Sequence, residues 1–159
     1  MDPRMMEFED QIMDCTRQVD NLYSRFARAK GLTYMSLLVL DCICDHPAGC
    51  TQKEICEQTY YPRQSINLIV KNFLEQGYVQ LEELPEDRRN KRITLTESGK
   101  RRAEETVFPF WNAEDAAFSE LTDSERAQFL DMMKRFTASL TQSVEALLDG
   151  ADPARPAGS

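Results

Sequence analysis

A chain of 159 residues is long enough for one compact domain with helical extensions, and it can bury a core without a disulfide framework. With 42% hydrophobic and 29% charged residues it sits among globular rather than disordered sequences, and no apolar run reaches the length of a membrane span. The net charge of −8 excludes a uniformly basic nucleic-acid binder, but the charge is uneven: residues 63–102 carry nine basic against six acidic side chains, net +3, which leaves −11 for the rest.

In chain order, the first element expected is a long helix over 7–30. There Ile12, Cys15, Val19, Leu22 and Phe26 step by 3, 4, 3 and 4, a heptad-like stripe that asks for a helical partner. The N-terminal residues, MDPRMMEFEDQ, hold no apolar stretch of the signal-peptide kind, so reduced thiols in a cytoplasm are expected for the five cysteines. Gly31 suits a helix stop that needs positive φ. Thr33 is placed to cap a second helix over 34–44, apolar nearly all round and therefore buried, and His46-Pro47-Ala48-Gly49 reads as a turn. Thr51 with Glu54 matches a capping box that opens a short helix carrying Ile55 and Cys56 inward. After a turn at Tyr60-Tyr61, Pro62 suits the first position of a helix ending at Gly77. Its apolar face is Ile66, Ile69, Val70 and Phe73, with Arg63, Gln64, Asn67 and Lys71 pointing elsewhere.

From Tyr78 the period changes from helical to alternating. Strands are expected over 78–82 and 92–95, joined by a charged loop at 85–91, which makes a β-hairpin with a long basic tip. A further helix is expected from 96 to about 118, kinked near Pro109. Thr122 and Glu125 form a second capping box, opening a helix to about 148 with a stripe of Phe129, Met133, Phe136, Leu140, Val144 and Leu147. Residues 150–159, rich in Pro, Ala and Gly, read as a disordered tail.

Two short helices joined by a tight turn, the second polar on its outer face, fit a helix-turn-helix. Arg63, Gln64, Ser65 and Asn67 are the side-chain types that read base edges: Arg at guanine, Asn or Gln at adenine, Ser at either. Alone, that face reads equally well as a solvated surface. The basic cluster of Arg88, Arg89, Lys91 and Arg92 on the following hairpin, in an acidic chain, weighs for DNA, since a loop there reaches phosphates or a minor groove.

Asp87-Arg88-Arg89, then Ile93, then Leu95-Thr96 and Gly99, resembles the wing pattern of the MarR family of winged helix-turn-helix regulators: Asp-x-Arg, an aliphatic residue, Leu-Thr-x-x-Gly. The run from Phe73 to Val79 is similar to that family's junction between recognition helix and wing, and the matching core spans roughly 32–102. The resemblance implies a mainly α fold with a small β-hairpin wing, the winged domain flanked by long N- and C-terminal dimerisation helices. It divides the chain into a dimerisation helix at 1–31, a DNA-binding domain at 32–100, dimerisation helices at 101–149 and the tail at 150–159.

It further implies a bacterial DNA-binding transcription regulator. The expected protein is a homodimer on a roughly palindromic double-stranded operator, a repressor released by a small aromatic effector. Arg63, Gln64, Ser65, Asn67, Lys71, Arg88, Arg89 and Lys91 fall at DNA-contacting positions. Asp87 falls where it orients an arginine, since a carboxylate beside phosphate is unfavourable. The acidity of this chain and the Pro62-Arg63 opening of the recognition helix depart from the family pattern and bear on the target sequence.

Cys42, Cys44, His46, Cys50 and Cys56 have metal-ligand chemistry, but Cys42 and Cys44 lie two apart on a buried helix and point to different faces. They read as small buried hydrophobes, and neither metal nor cofactor is expected. Cys15 is open to two readings, an interface cysteine or a redox switch of the kind found in peroxide-sensing members of the family. With Tyr23, Phe108 and Trp111 it is also a candidate for the lining of an effector pocket. The lone histidine, with no catalytic motif around it, speaks against an enzyme. A winged-helix protein-interaction module without DNA binding is the remaining alternative, and it has no use for clustered wing arginines.

Overall fold

The computed structural model describes residues 2–84 and 87–150, with the backbone alone for 84 and 87–90. The order is α1 (Pro3–Ala29), α2 (Tyr34–Cys44), β1 (Cys50–Thr51), α3 (Gln52–Thr59), α4 (Arg63–Glu75), β2 (Val79–Leu84), β3 (Asp87–Leu95), α5 (Glu97–Ser119) and α6 (Asp123–Leu148). The chain divides into two compact units, 1–111 and 112–159. No helix of the described residues is long and apolar enough to cross a membrane.

The first unit holds the buried core. Leu37, Leu40 and Ile43 of α2, Ile55 of α3, Ile66 and Phe73 of α4 and Ile93 of β3 are all withdrawn from water. Helix starts follow local chemistry. Thr33 Oγ1 accepts from the Ser36 amide at 3.0 Å. At α3 the box is reciprocal: the Glu54 amide donates to Thr51 Oγ1 at 3.2 Å, and the Glu54 carboxylate accepts from the Thr51 amide at 2.6 Å. Those bonds hold the Glu54 carboxyl below its ordinary value. Helix α1 begins a turn earlier than its apolar stripe suggested, because the Asp2 carboxylate caps it and Pro3 follows.

The sheet is antiparallel in the order β1-β3-β2. Its hairpin differs from the long loop expected at 85–91. Glu83 pairs with Lys91 and, after an irregularity, Leu84 pairs with Asp87, so most of that segment is strand. The two-residue β1 adds a third strand, with Cys50 opposite Ile93 and Thr51 opposite Arg92. Helix α5 is not broken at Pro109. The carbonyl freed by the proline ring belongs to Glu105, which is exposed, so water can serve it.

The wing root and α5 are joined through Thr96 and Gly99. Thr96 Oγ1 donates to the Gly77 carbonyl at 2.6 Å and accepts from the Gly99 amide at 3.0 Å. The Thr96 amide donates to the Tyr78 carbonyl at 3.0 Å. A Cβ on Gly99 would stand 1.9 Å from that same carbonyl oxygen. The Leu-Thr-x-x-Gly pattern therefore has a steric cause: the threonine caps the helix, and the glycine lets it pass over backbone.

In the second unit, Thr122 and Glu125 form the expected reciprocal box, and Arg126 Nη1 donates to the Phe118 carbonyl at 3.0 Å. Helix α6 has no buried residue, and Phe129, Met133, Phe136, Leu140, Val144 and Leu147 are exposed along it. On α1, Met5, Phe8, Ile12, Val19 and Leu22 are exposed likewise. The tail expected at 150–159 lies, beyond Gly150, outside the described residues.

Candidate nucleic-acid interface

Helix α4 buries Ile66, Ile69, Val70 and Phe73. At about 100° per residue, the side chains opposite that ridge are Gln64, Leu68, Lys71 and Glu75, with Arg63 and Asn67 on one flank and Ser65 and Asn72 on the other. Arg63, Gln64, Asn67 and Lys71 are exposed, whereas Ser65 is half-buried. The N-terminal half of this face holds the neutral hydrogen-bonding groups and Arg63. The carboxylate of Glu75 is confined to the far end, 3.8 Å from Lys71 Nζ. Pro62 supplies no side-chain cap at the positive end of the helix, and its carbonyl accepts from the Ser65 and Ile66 amides at 3.0 and 3.2 Å. That end is the one that meets DNA in helix-turn-helix docking.

The turn before α4 carries Tyr60, 92% exposed at φ 57°, a left-handed conformation unusual for a tyrosine. Leu68 is 70% exposed on the outer ridge. Neither was singled out from sequence. Leu68 was visible there as the one leucine of 63–73 that falls outside the 66, 69, 70, 73 ridge.

On the wing, Lys91 and Arg92 are exposed. Arg92 stands across the ladder from Thr51 on one side and Glu82 on the other. The backbone of Asp87, Arg88 and Arg89 runs in β3, and the side chains of these three expected site residues lie outside the described ones.

The residues considered for an effector pocket separate. Phe108 stacks on Trp111 with ring centroids 5.2 Å apart, and Trp111 Nε1 donates to Asp41. Both line a cavity of about 580 Å³ with Cys44, His46, Gln80 and Lys100 among its walls. Tyr23 instead packs edge-on against Phe110 at 4.8 Å, and Cys15 is exposed on α1. His46 Nδ1 donates to the Cys42 carbonyl at 2.7 Å, which raises the imidazole pKa. Burial pushes the Cys44 thiol up to about 12, and contact with Cys50 together with burial pushes Cys42 up as well. These two are thiols at neutral pH and weak nucleophiles. Among the described residues, no group of three or more His, Cys, Asp or Glu side chains is placed to hold a metal ion.

Residues 30–90 match the family model of the MarR family, as the wing pattern had suggested. No curated protein sequence matches the chain. Among solved structures, NMB1585, a MarR family regulator from Neisseria meningitidis, has 22% identity and a TM-score of 0.73, over 86% of this chain and 95% of that one. S. aureus MepR, solved as a DNA complex, has 19% identity and a TM-score of 0.67, over 84% and 97%. Bordetella bronchiseptica BpsR, whose DNA binding is regulated by 6-hydroxynicotinic acid, has 18% identity and a TM-score of 0.60, over 80% and 98%. The fold is the MarR winged helix.

Proposed function

From a chain that carries the MarR-family winged helix over residues 30–90, we propose a transcription regulator that binds a roughly palindromic duplex operator as a homodimer in a bacterial cytoplasm. The observation that carries this is the division of α4: one ridge fully given to the core, the opposite ridge given to Gln64 and Lys71 with Arg63 and Asn67 beside it. Such a helix is held rigidly and offers base-reading groups outward. Ser65 contributes from the flank. Lys91, with Arg88 and Arg89, supplies phosphate and groove-shape contacts from the wing, and Asp87 orients one of those arginines. MepR, with the same fold, was solved with DNA.

These roles separate experimentally. Arg88→Ala or Arg89→Ala is expected to weaken binding to every duplex and flatten its salt dependence. Gln64→Ala is expected to relax preference at about one position per half-site, at roughly 1–3 kcal/mol. The measurement is affinity for specific and scrambled duplexes over a salt series. Equal losses on all sequences for all three variants would refute the division.

The cavity beside Phe108 and Trp111 favours a repressor released by a small aromatic effector, as BpsR responds to 6-hydroxynicotinic acid. Its volume of about 580 Å³ suits such a ligand, with His46 and Lys100, the latter paired with Glu97 at 2.6 Å, among the polar groups of its walls beside Glu82 and Glu104. A panel of aromatic acids screened by gel shift should contain one that releases DNA from the wild type. Phe108→Ala, which alters an exposed ring, should bind DNA normally and resist release. A variant as sensitive as the wild type would remove this cavity from the effector path. The redox reading through Cys15 has only that residue's exposure in its favour.

A further inference from the structure

Among the described residues, Leu68 is the only large apolar side chain of α4 that faces solvent, at 70% exposure. Packing has no need of it, because Ile66, Ile69, Val70 and Phe73 already fill the core side. Its neighbours on the face, Gln64, Asn67, Lys71 and Asn72, are all polar and exposed. A leucine held in water in the middle of such a row forgoes burial that a contact would restore. Leu68 lies at the edge of a groove whose other walls are Leu32, Met35 and Ile69 with Ser65, Asn72 and Gln76, so it stands between that groove and the polar outer face of α4.

Leu68 follows Gln64 by one turn, about 6 Å along the helix axis, roughly two base-pair steps. In the major groove, the adenine, guanine and cytosine edges present hydrogen-bonding groups with no apolar group larger than a C–H, whereas thymine adds a C5-methyl. Leucine over a donor or acceptor would strip its water and return no hydrogen bond. Over a methyl, both groups leave water together. We infer that Leu68 contacts the C5-methyl of a thymine and is an apolar specificity determinant of each half-site; this rests on the DNA-binding reading above.

The test uses the full chain to enrich duplexes from a random library, then replaces each thymine of an enriched duplex by uracil, which removes the methyl alone. At one position in a half-site the wild type should lose about three- to five-fold in affinity. Leu68→Ala, an exposed substitution that leaves the thermal midpoint unchanged, should bind the thymine and uracil duplexes alike. If uracil costs the wild type nothing at any position, or if Leu68→Ala discriminates as well as the wild type, the inference falls while the DNA-binding reading stands. If no duplex is enriched, the DNA-binding reading falls and takes this inference with it.

Discussion

Replacing Gly99 by alanine is expected to destabilise the winged domain by about 2 kcal/mol or more, although helix propensity alone argues the opposite. Gly99 lies in the first turn of α5, where alanine would gain up to about 1 kcal/mol. Against that, the new Cβ would stand 1.9 Å from the Tyr78 carbonyl oxygen and 2.9 Å from its carbon. This is backbone that cannot rotate away, because the carbonyl already accepts from the Thr96 amide at the root of the wing. Relief requires α5 to lift or the β2–β3 ladder to part, and forced overpacking of that kind costs typically 1–3 kcal/mol and sometimes more. The clash wins. A net loss of about 2 kcal/mol should lower the thermal midpoint by roughly 4–8 °C. Gly77→Ala provides the contrast: nothing lies within 4 Å of its added Cβ, and the cost there, about 1 kcal/mol, comes from φ +71° alone. A Gly99→Ala protein as stable as the wild type would show that α5 stands clear of the wing root.

The second large effect concerns operator geometry. The exposed stripes of α1 and α6, from Ile12 and Leu22 to Phe136 and Leu140, are expected to be covered by a second copy of the chain. Sedimentation at micromolar concentration should therefore find a dimer, and a monomer would remove the basis of this expectation. In such a dimer, two α4 helices related by a two-fold axis would enter successive major grooves on one face of the duplex, so half-sites are expected about 10 base pairs apart. Shifting one half-site by half a turn places it on the far side of the helix. Linked binding then becomes single-site binding, at a cost of about 10²–10⁴ in affinity. With a net charge of −8, the chain has little general attraction for DNA to mask that loss. A gel-shift series over half-site spacings measures it, and undiminished affinity would mean that each winged domain binds alone.

What the sequence determined by itself is what neighbours in the chain decide. The reciprocal caps at Thr51–Glu54 and Thr122–Glu125 are complete within four residues, so they were legible, and both form. The α4 core ridge follows from a 3.6-residue period, which also placed Gln64, Asn67 and Lys71 on the outside. Tertiary structure decided the rest. A strand of two residues has no period, so β1 exists only because Cys50 and Thr51 meet Ile93 and Arg92, 43 and 41 residues later. The outer wing is strand despite its charges, since pairing of Glu83 with Lys91 is set by the ladder and not by an apolar alternation. Trp111 finds Asp41 across 70 residues, and the cavity beside it arises from α2, the wing and α5 together. Gly99 was visible as a letter in a pattern, but its necessity lies in a carbonyl 21 residues away. Local hydrogen bonds and side-chain period are properties of a segment, whereas pairing, close approach and enclosed space are properties of segments that folding brings together.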